Sequence, residues 1–295
     1  MLLQPDCIAC ILKMSIALIR KLPLEEKRVK MLYSEILEIP ALKGKHWKIT
    51  SPEVIEKVML KITDTVGDQD PFASEKSSLN NALMDRYPFF QNLVESSSDP
   101  LYTAVKLAIA GNAIDFMVPE GTLNIEKTIK KQLKAPLPYD WFSYFKEQLE
   151  ASKFILYFGD NVGEVVLDRL LIETIRLRCD PEIIFVVRSV PTLNDITLKD
   201  VATVGIDRIA KVIENGINGP LPGTILNRCS TEIRDLVEQA DLIISKGGGN
   251  YDSLGEEKNY LNKIIFMLLS KCFPYNRDFG VNLFQPVLAG VFASR

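Results

Sequence analysis

Three short polar segments, each closing an apolar run, hold most of the residues in this sequence that could do chemistry. Gly159-Asp160-Asn161-Val162-Gly163-Glu164 follows Phe154-Ile155-Leu156-Tyr157-Phe158. Arg188 leads through Pro191 to Asn194-Asp195 after the apolar run Ile183 to Val187. Lys246-Gly247-Gly248-Gly249-Asn250 follows Leu242-Ile243-Ile244-Ser245. Asp160 and Asn161 offer a carboxylate and an amide oxygen, and Asp195 a second carboxylate at the end of the next strand. Oxygen donors of this kind suit hard cations such as Mg²⁺ or Mn²⁺, with water completing the shell. Any one of these residues also suits ordinary helix capping, so the weight rests on three segments converging at one crevice. In the third segment the glycines let backbone N–H groups close on an anion, and Lys246 adds a point charge. The spacing is not that of a Walker loop, and no G-x-G-x-x-G opens a helix after the first strand. Carboxylates that hold a metal beside a phosphate cradle are what phosphoryl transfer to water requires.

Composition narrows the field further. The chain has 295 residues and one histidine, His46, so a Ser-His-Asp triad would depend on that residue alone and a multi-histidine zinc site is excluded. His46 stands beside Trp47 in a lysine-rich stretch and reads as surface or packing. The net charge of −3, from 35 basic and 38 acidic residues, gives no bulk attraction for nucleic acid. No stretch reaches the ~18 uncharged apolar residues of a membrane span. The amino-terminal segment carries Asp6, Lys13 and Arg20 and reads as an amphipathic helix, not a signal peptide. Five scattered cysteines are consistent with a reduced, cytoplasmic protein.

Three further groups stand outside the strand ends. Asn112 and Asp115 fall three apart in an otherwise apolar helix read from Leu101 to Val118, which places them on one face. They form either an internal pair or a lid face turned toward the strand ends. Asp70-Pro71-Phe72 with Glu75, Lys76 and Asn80 opens another helix with several polar contacts to make. Cys7 and Cys10 form a C-x-x-C in a helical setting, which leaves open buried thiols, a metal role or a disulfide.

The elements that must position these residues differ between the two halves. Residues 1–152 read as successive amphipathic helices: one at the start, then Pro23 to Ile39, Ser51 to about Gly67, Ser74 to Arg86, Leu101 to Val118 and Tyr139 to Ser152. Thr50-Ser51-Pro52-Glu53 is a start signal, combining a hydroxyl cap, a first-turn proline and a dipole-complementing acid. From residue 153 to 295, short continuous apolar runs alternate with helices such as Val165 to Leu177. That alternation is the pattern of a mostly parallel sheet buried on both faces. Lys263 to Leu269 is a candidate further strand, and Glu214 to Pro222 reads as a loop. The expected fold is α/β: a three-layer α/β/α domain with an all-helical amino-terminal domain. In such sheets ligands bind beyond the carboxyl ends of the strands.

With these residues in order along nearly the whole chain, the sequence resembles domain-of-unknown-function family eighty-nine. These are the metal-dependent damage-control phosphatases, and the likeness is to their short archaeal-type branch. It is carried by Cys7-Ile8-Ala9-Cys10, Asp70-Pro71-Phe72 with Lys76 and Asn80, Tyr87-Pro88, and Ala110-Gly111-Asn112-Ala113-Ile114-Asp115. It continues through the segment Gly159 to Glu164, Arg188 with Pro191 and Asn194-Asp195, Lys246 to Tyr251, and Lys271-Cys272. The resemblance implies a phosphatase of small phosphorylated metabolites such as sugar phosphates, supported by Mn²⁺, Co²⁺, Ni²⁺ or Mg²⁺. It assigns Asp160, Asn161 and Asp195 as metal ligands and Lys246 as a lysine beside the phosphate.

Together these readings set the expected site. Asp160, Asp195 and Lys246 are the catalytic candidates. Asn112, Asp115, Glu164, Arg188, Asn194, Gly247, Gly248 and Asn250 are the substrate contacts. Two rival readings use the same residues: a small-molecule methyltransferase with its adenosyl ligand on the glycine run, and a module that senses a metabolite phosphate without turnover.

Overall fold

The computed structural model describes residues 1–67, 70–114 and 124–290. Eight helices come first: α1 (Pro5–Ile19), α2 (Glu26–Leu37), α3 (Ser51–Val66), α4 (Ala73–Met84), α5 (Tyr87–Glu95), α6 (Pro100–Gly111), α7 (Ile125–Lys134) and α8 (Tyr139–Ala151). Strands and helices then alternate: β1 (Phe154–Phe158), α9 (Glu164–Arg178), β2 (Glu182–Val187), α10 (Leu198–Val204), β3 (Lys211–Glu214) and α11 (Thr231–Gln239). The chain continues with β4 (Leu242–Lys246), α12 (Gly247–Leu254), β5 (Ile264–Leu269), α13 (Phe273–Phe279) and β6 (Pro286–Gly290).

The start signal at Thr50 forms as read. The Glu53 carboxylate accepts from the Thr50 backbone N–H and hydroxyl, each at 2.8 Å, in a reciprocal capping box. Gly67 closes the same helix in the left-handed region.

The six strands form one sheet in the order β3-β2-β1-β4-β5-β6. All neighbours are parallel except β5 and β6. The continuous apolar runs of β1, β2 and β4 are explained by burial on both sides. Ile155 and Tyr157 join one apolar cluster while Leu156 and Phe158 join another, and β2 and β4 alternate in the same way. Each fully buried aliphatic side chain there contributes about 1.5–3 kcal/mol.

The strand order reverses between β1 and β4, since β1 leads outward through β2 and β4 through β5. That reversal opens a crevice at the carboxyl ends of these two strands.

Several expectations are adjusted. β3 ends on Glu214, where the stretch read as a loop begins, and neither β3 nor β6 was anticipated. Both are edge strands; β3 is only partly buried and β6 opens on proline and ends on glycine, so neither shows a strong apolar run. The helix read to Val118 ends at Gly111, with Asn112 as its C-cap. Asp115 lies outside the described residues. Residue 152 marks a change of element type, but one apolar cluster crosses it. Leu107 and Phe145 from the helical half pack with Ile155 and Val166, while α1 to α3 bury a cluster of their own.

Candidate functional site

The loop after β1 and the loop after β2 brace each other. Asn161 and Asp195 form an isolated antiparallel bridge. The Val162 N–H donates to the Asn194 carbonyl and the Ile196 N–H to the Asp160 carbonyl, both at 2.9 Å. Residues 35 positions apart are thereby held side by side by backbone alone. Leu193 adopts φ 45°, an uncommon conformation for a leucine and one that turns the loop sharply just before Asn194.

Asp160 and Asp195 are both nearly fully buried. Asn112 Nδ2 donates to Asp160 Oδ2 at 3.2 Å and to Glu164 Oε2 at 3.0 Å, and Asn161 Nδ2 reaches the same two carboxylates. Asn112 arrives there because Gly111 lets the end of α6 touch the start of α9. A Cβ at Gly111 would stand 3.0 Å from the Glu164 Cα. Gly247 is more tightly constrained: it sits at φ +76°, and its Cβ would fall 1.8 Å from Asp160 Oδ2.

A cavity of about 290 Å³ opens over these groups. Asn112, Asp160, Asn161, Asn194, Asp195 and Gly248 line it, so these expected site residues are brought together. Glu164, Arg188, Lys246, Gly247 and Asn250 do not line it. The side chains among them direct their polar atoms into the protein. Lys246 is wholly buried, and its ammonium donates to the Ala108 carbonyl at 3.0 Å, Glu164 Oε1 at 2.6 Å and Asp168 Oδ1 at 2.5 Å. An ammonium has three protons, and all three are committed. Arg188 Nε donates to Asp195 Oδ2 at 2.7 Å and Nη1 to Thr224 and Asn250, each at 3.1 Å. Asn250 Nδ2 in turn donates to the carbonyls of Gly159 and Lys246. These residues form the supporting layer that aims the carboxylates.

The cavity wall has cations and donors of its own. Lys271 is exposed, lines the cavity and lies within electrostatic reach of Asp160, whose carboxyl it pulls toward the ionised form. Lys271 had been noted in the sequence only beside Cys272, without a role. Gly248 and Gly249 in the first turn of α12 also line the cavity, where first-turn N–H groups lack helical partners. Asp168 was missed as well. Its signal was legible: it lies four residues after Glu164, which puts two acids on one face of an apolar helix.

Burial pushes Asp160 well above the ordinary carboxylate range, and the neighbouring charges of Asp195 and Glu164 push the same way. Burial raises Asp195 too, against the opposing charge of Arg188. Two desolvated carboxylates facing one cavity call for a cation. The guanidinium between them does not complete the neutralisation: Arg188 Nη2 is buried without a hydrogen bond and stands 3.8 Å from Asp160 Oδ1. Two carboxylates and an amide are hard oxygen donors, so Asp160, Asn161 and Asp195 fit a divalent ion chemically.

The comparisons with known proteins bear on the same residues. The sequence profile of the "Damage-control phosphatase ARMT1-like domain" matches residues 3–287. The chain belongs to this family. An uncharacterised protein of Methanocaldococcus jannaschii is 33% identical, with 97% of this chain and 94% of that protein aligned. A "Damage-control phosphatase" of Archaeoglobus fulgidus is 30% identical over 96% of this chain and 97% of its own length. The crystal structure of a DUF89 family protein from Pyrococcus horikoshii superposes with a TM-score of 0.84 at 27% identity, covering 98% of this chain and 99% of that one. The family resemblance and the α/β fold read from the sequence are thus both shown. Among the described residues no helix is long and apolar enough to cross a membrane. These matches do not favour the methyltransferase reading, and the glycine run lies after β4 and not after β1.

Proposed function

We propose that this chain is a metal-dependent phosphomonoesterase of small phosphorylated metabolites, acting in the cytoplasm. One observation carries the reading: Asp160, Asn161 and Asp195 stand together on the cavity wall at the reversal of strand order, facing Lys271 and the amide end of α12. Membership of a damage-control phosphatase family supports it.

Asp160, Asn161 and Asp195 would hold a divalent ion, Mn²⁺, Co²⁺, Ni²⁺ or Mg²⁺. When bound, such an ion neutralises phosphate oxygens and lowers the pKa of water. The protein's own part is positional and electrostatic. Lys271 and the N–H groups of Gly248 and Gly249 would receive the remaining phosphate oxygens, taking over the role first given to Lys246. Asp160 or Asp195, each with one oxygen not hydrogen-bonded by Arg188, is the candidate to accept the proton of the attacking water. Asn112 and Asn194 would orient the ester, and Asp115 keeps its proposed place as a second contact from the same chain segment. Lys246, Glu164, Arg188, Gly247 and Asn250 act through the groups they hold.

The test is phosphate release from a panel of sugar phosphates and other phosphomonoesters, with each of the four metals and with chelator. Turnover is expected only with metal. Asp160→Ala and Asp195→Ala are expected to lose about 10²–10³-fold or more in kcat/KM, and full activity in both would overturn the assignment. Binding of metal and phosphate without hydrolysis across the panel would favour the sensing module.

A further inference from the structure

The C-x-x-C of α1 has no place in the phosphatase chemistry, yet it faces the same cavity. Cys7, Cys10 and Cys272 all line that cavity, with α1 as one wall and the chain just after Lys271 as another. The remaining two cysteines lie elsewhere: Cys179 packs beside α8 and Cys229 is buried in the second sheet cluster. All three cavity cysteines are free, and Cys10 is exposed. Cys272 lies close enough to Cys7 and Cys10 for each to act on its thiol electrostatically. Among the described residues no three His, Cys, Asp or Glu side chains are arranged to hold a metal, so the cluster is better suited to thiol chemistry than to a metal.

Helix geometry separates the possible disulfides. Cys7 and Cys10 lie three apart on one helix, so a bond between them ties a turn to itself and constrains nothing else. A bond from either to Cys272 ties α1 to the segment that carries Lys271. Cys7 and Cys10 present their thiols from the same helix turn, so either can serve.

We propose that Cys272 and the Cys7–Cys10 pair form an oxidisable modification site, in which a disulfide from Cys272 to α1 closes the cavity over the phosphatase site. The consequence for turnover rests on the phosphatase reading; the cross-link does not. A low-molecular-weight disulfide is the oxidant. Cys10 is the first nucleophile because it is the most exposed of the three; burial raises its pKa, and Lys13 and Lys271 oppose that rise in part. The Cys10 thiolate, having lost its proton to solvent, attacks one sulfur of the oxidant, forming a mixed disulfide and releasing one thiolate. The Cys272 thiolate then attacks Cys10 Sγ, forming the protein disulfide and releasing the second thiolate. Cys7 takes the place of Cys10 if exchange within the helix comes first. In sum, two protein thiols and one small disulfide give one protein disulfide and two small thiols. Such reversible disulfides are the kind found in reducing compartments.

The experiment oxidises the full-length, metal-supplemented protein with oxidised glutathione and maps disulfides by non-reducing peptide mass spectrometry. Expected is a linkage joining a Cys272 peptide to the Cys7–Cys10 peptide, with Cys179 and Cys229 left free. Amide exchange in α1 and α13 should slow in the oxidised form. Turnover should fall about 10-fold or more, return with dithiothreitol, and lose its sensitivity to oxidant in Cys272→Ser. Only a Cys7–Cys10 bond, only glutathione adducts, or a cross-link without change in exchange would overturn the proposal. Absence of turnover in the reduced protein with every metal would instead count against the phosphatase reading, while mapping and exchange would still decide the switch.

Discussion

Lys246 is a lysine at the end of a central strand, next to glycines, and its position alone suggests a phosphate contact. Its surroundings specify another duty. Burial disfavours its charge, but the carboxylates of Asp168 and Glu164 outweigh that and raise its pKa. Glu164 in turn accepts from Asn112 and Asn161, so the lysine anchors the groups that orient Asp160. Lys246→Met is expected to cost about 3–5 kcal/mol in denaturant unfolding, because two buried carboxylates lose their counter-charge. Unchanged stability with lost turnover would return Lys246 to the substrate. Asp252, on the far cavity wall, gives a pH signature. Burial raises its carboxyl to about 6, despite donors from Ser51 and Tyr275. Its folded pKa exceeds the unfolded one, so its contribution to stability is present below the ordinary carboxylate range and is lost as pH rises through about 6. The stability difference between wild type and Asp252→Asn should therefore shift by about 2 kcal/mol in favour of the variant between pH 4 and 7, read from unfolding midpoints.

At the scale of elements, the site depends on contacts between helices and loops that lie far apart in sequence. α4 contributes Asn80, whose Oδ1 accepts from the Gly163 N–H at 2.6 Å and so holds the loop after β1 from outside. One turn earlier on α4, Lys76 is fully buried between Asp70 and Asp200, at 3.1 and 3.0 Å, and lies within electrostatic reach of Asp195. Neither residue lines the cavity. Asn80→Ala is expected to reduce kcat/KM about 10- to 100-fold without abolishing folding, checked by steady-state kinetics beside circular dichroism. Gly247→Ala carries a harsher expectation, since its Cβ has no room beside Asp160 and its backbone favours glycine. Loss of measurable turnover is expected, and a fully active Gly247→Ala protein would show that the first turn of α12 is free to move.

At the scale of the whole molecule, the first three helices keep their own apolar cluster, against which Leu193 of the loop after β2 packs, and polar contacts fasten them further to the α/β part. Arg228 grips the Glu56 carboxylate of α3 with two nitrogens, at 2.8 and 2.6 Å, and Ser51 donates to Asp252. α1 and α3 also wall the cavity, so these fasteners set its width. Arg228 is about one-third exposed, which weakens its pair with Glu56 through solvent screening. A double-mutant cycle of Glu56→Gln and Arg228→Gln is expected to give a coupling of about 0.5–1 kcal/mol. The effect on KM should exceed the effect on stability, because a loosened α3 widens the cavity before it unfolds.

Much of this was legible along the chain. The apolar runs of β1, β2, β4 and β5 announced central strands, because a strand buried on both faces has no polar side to hide it. Thr50 announced a helix start, and Asp160, Asn161 and Asp195 announced a crevice, because polar residues closing such runs must lie at the strand ends. The edge strands β3 and β6 were not legible, since edges tolerate the proline, glycine and charged residues that central strands exclude. The end of α6 at Gly111 was hidden as well, because the apolar pattern continued past it. The residue types and their order thus determined the fold class and the donor chemistry. Which of the two lysines near the strand ends meets the cavity was decided only in three dimensions. Lys246 closes β4 and Lys271 follows β5, but α9 places the carboxylates of Glu164 and Asp168 against Lys246, while Lys271 is exposed on the cavity wall. The choice follows from helix packing across the sheet, which no local pattern in the sequence encodes.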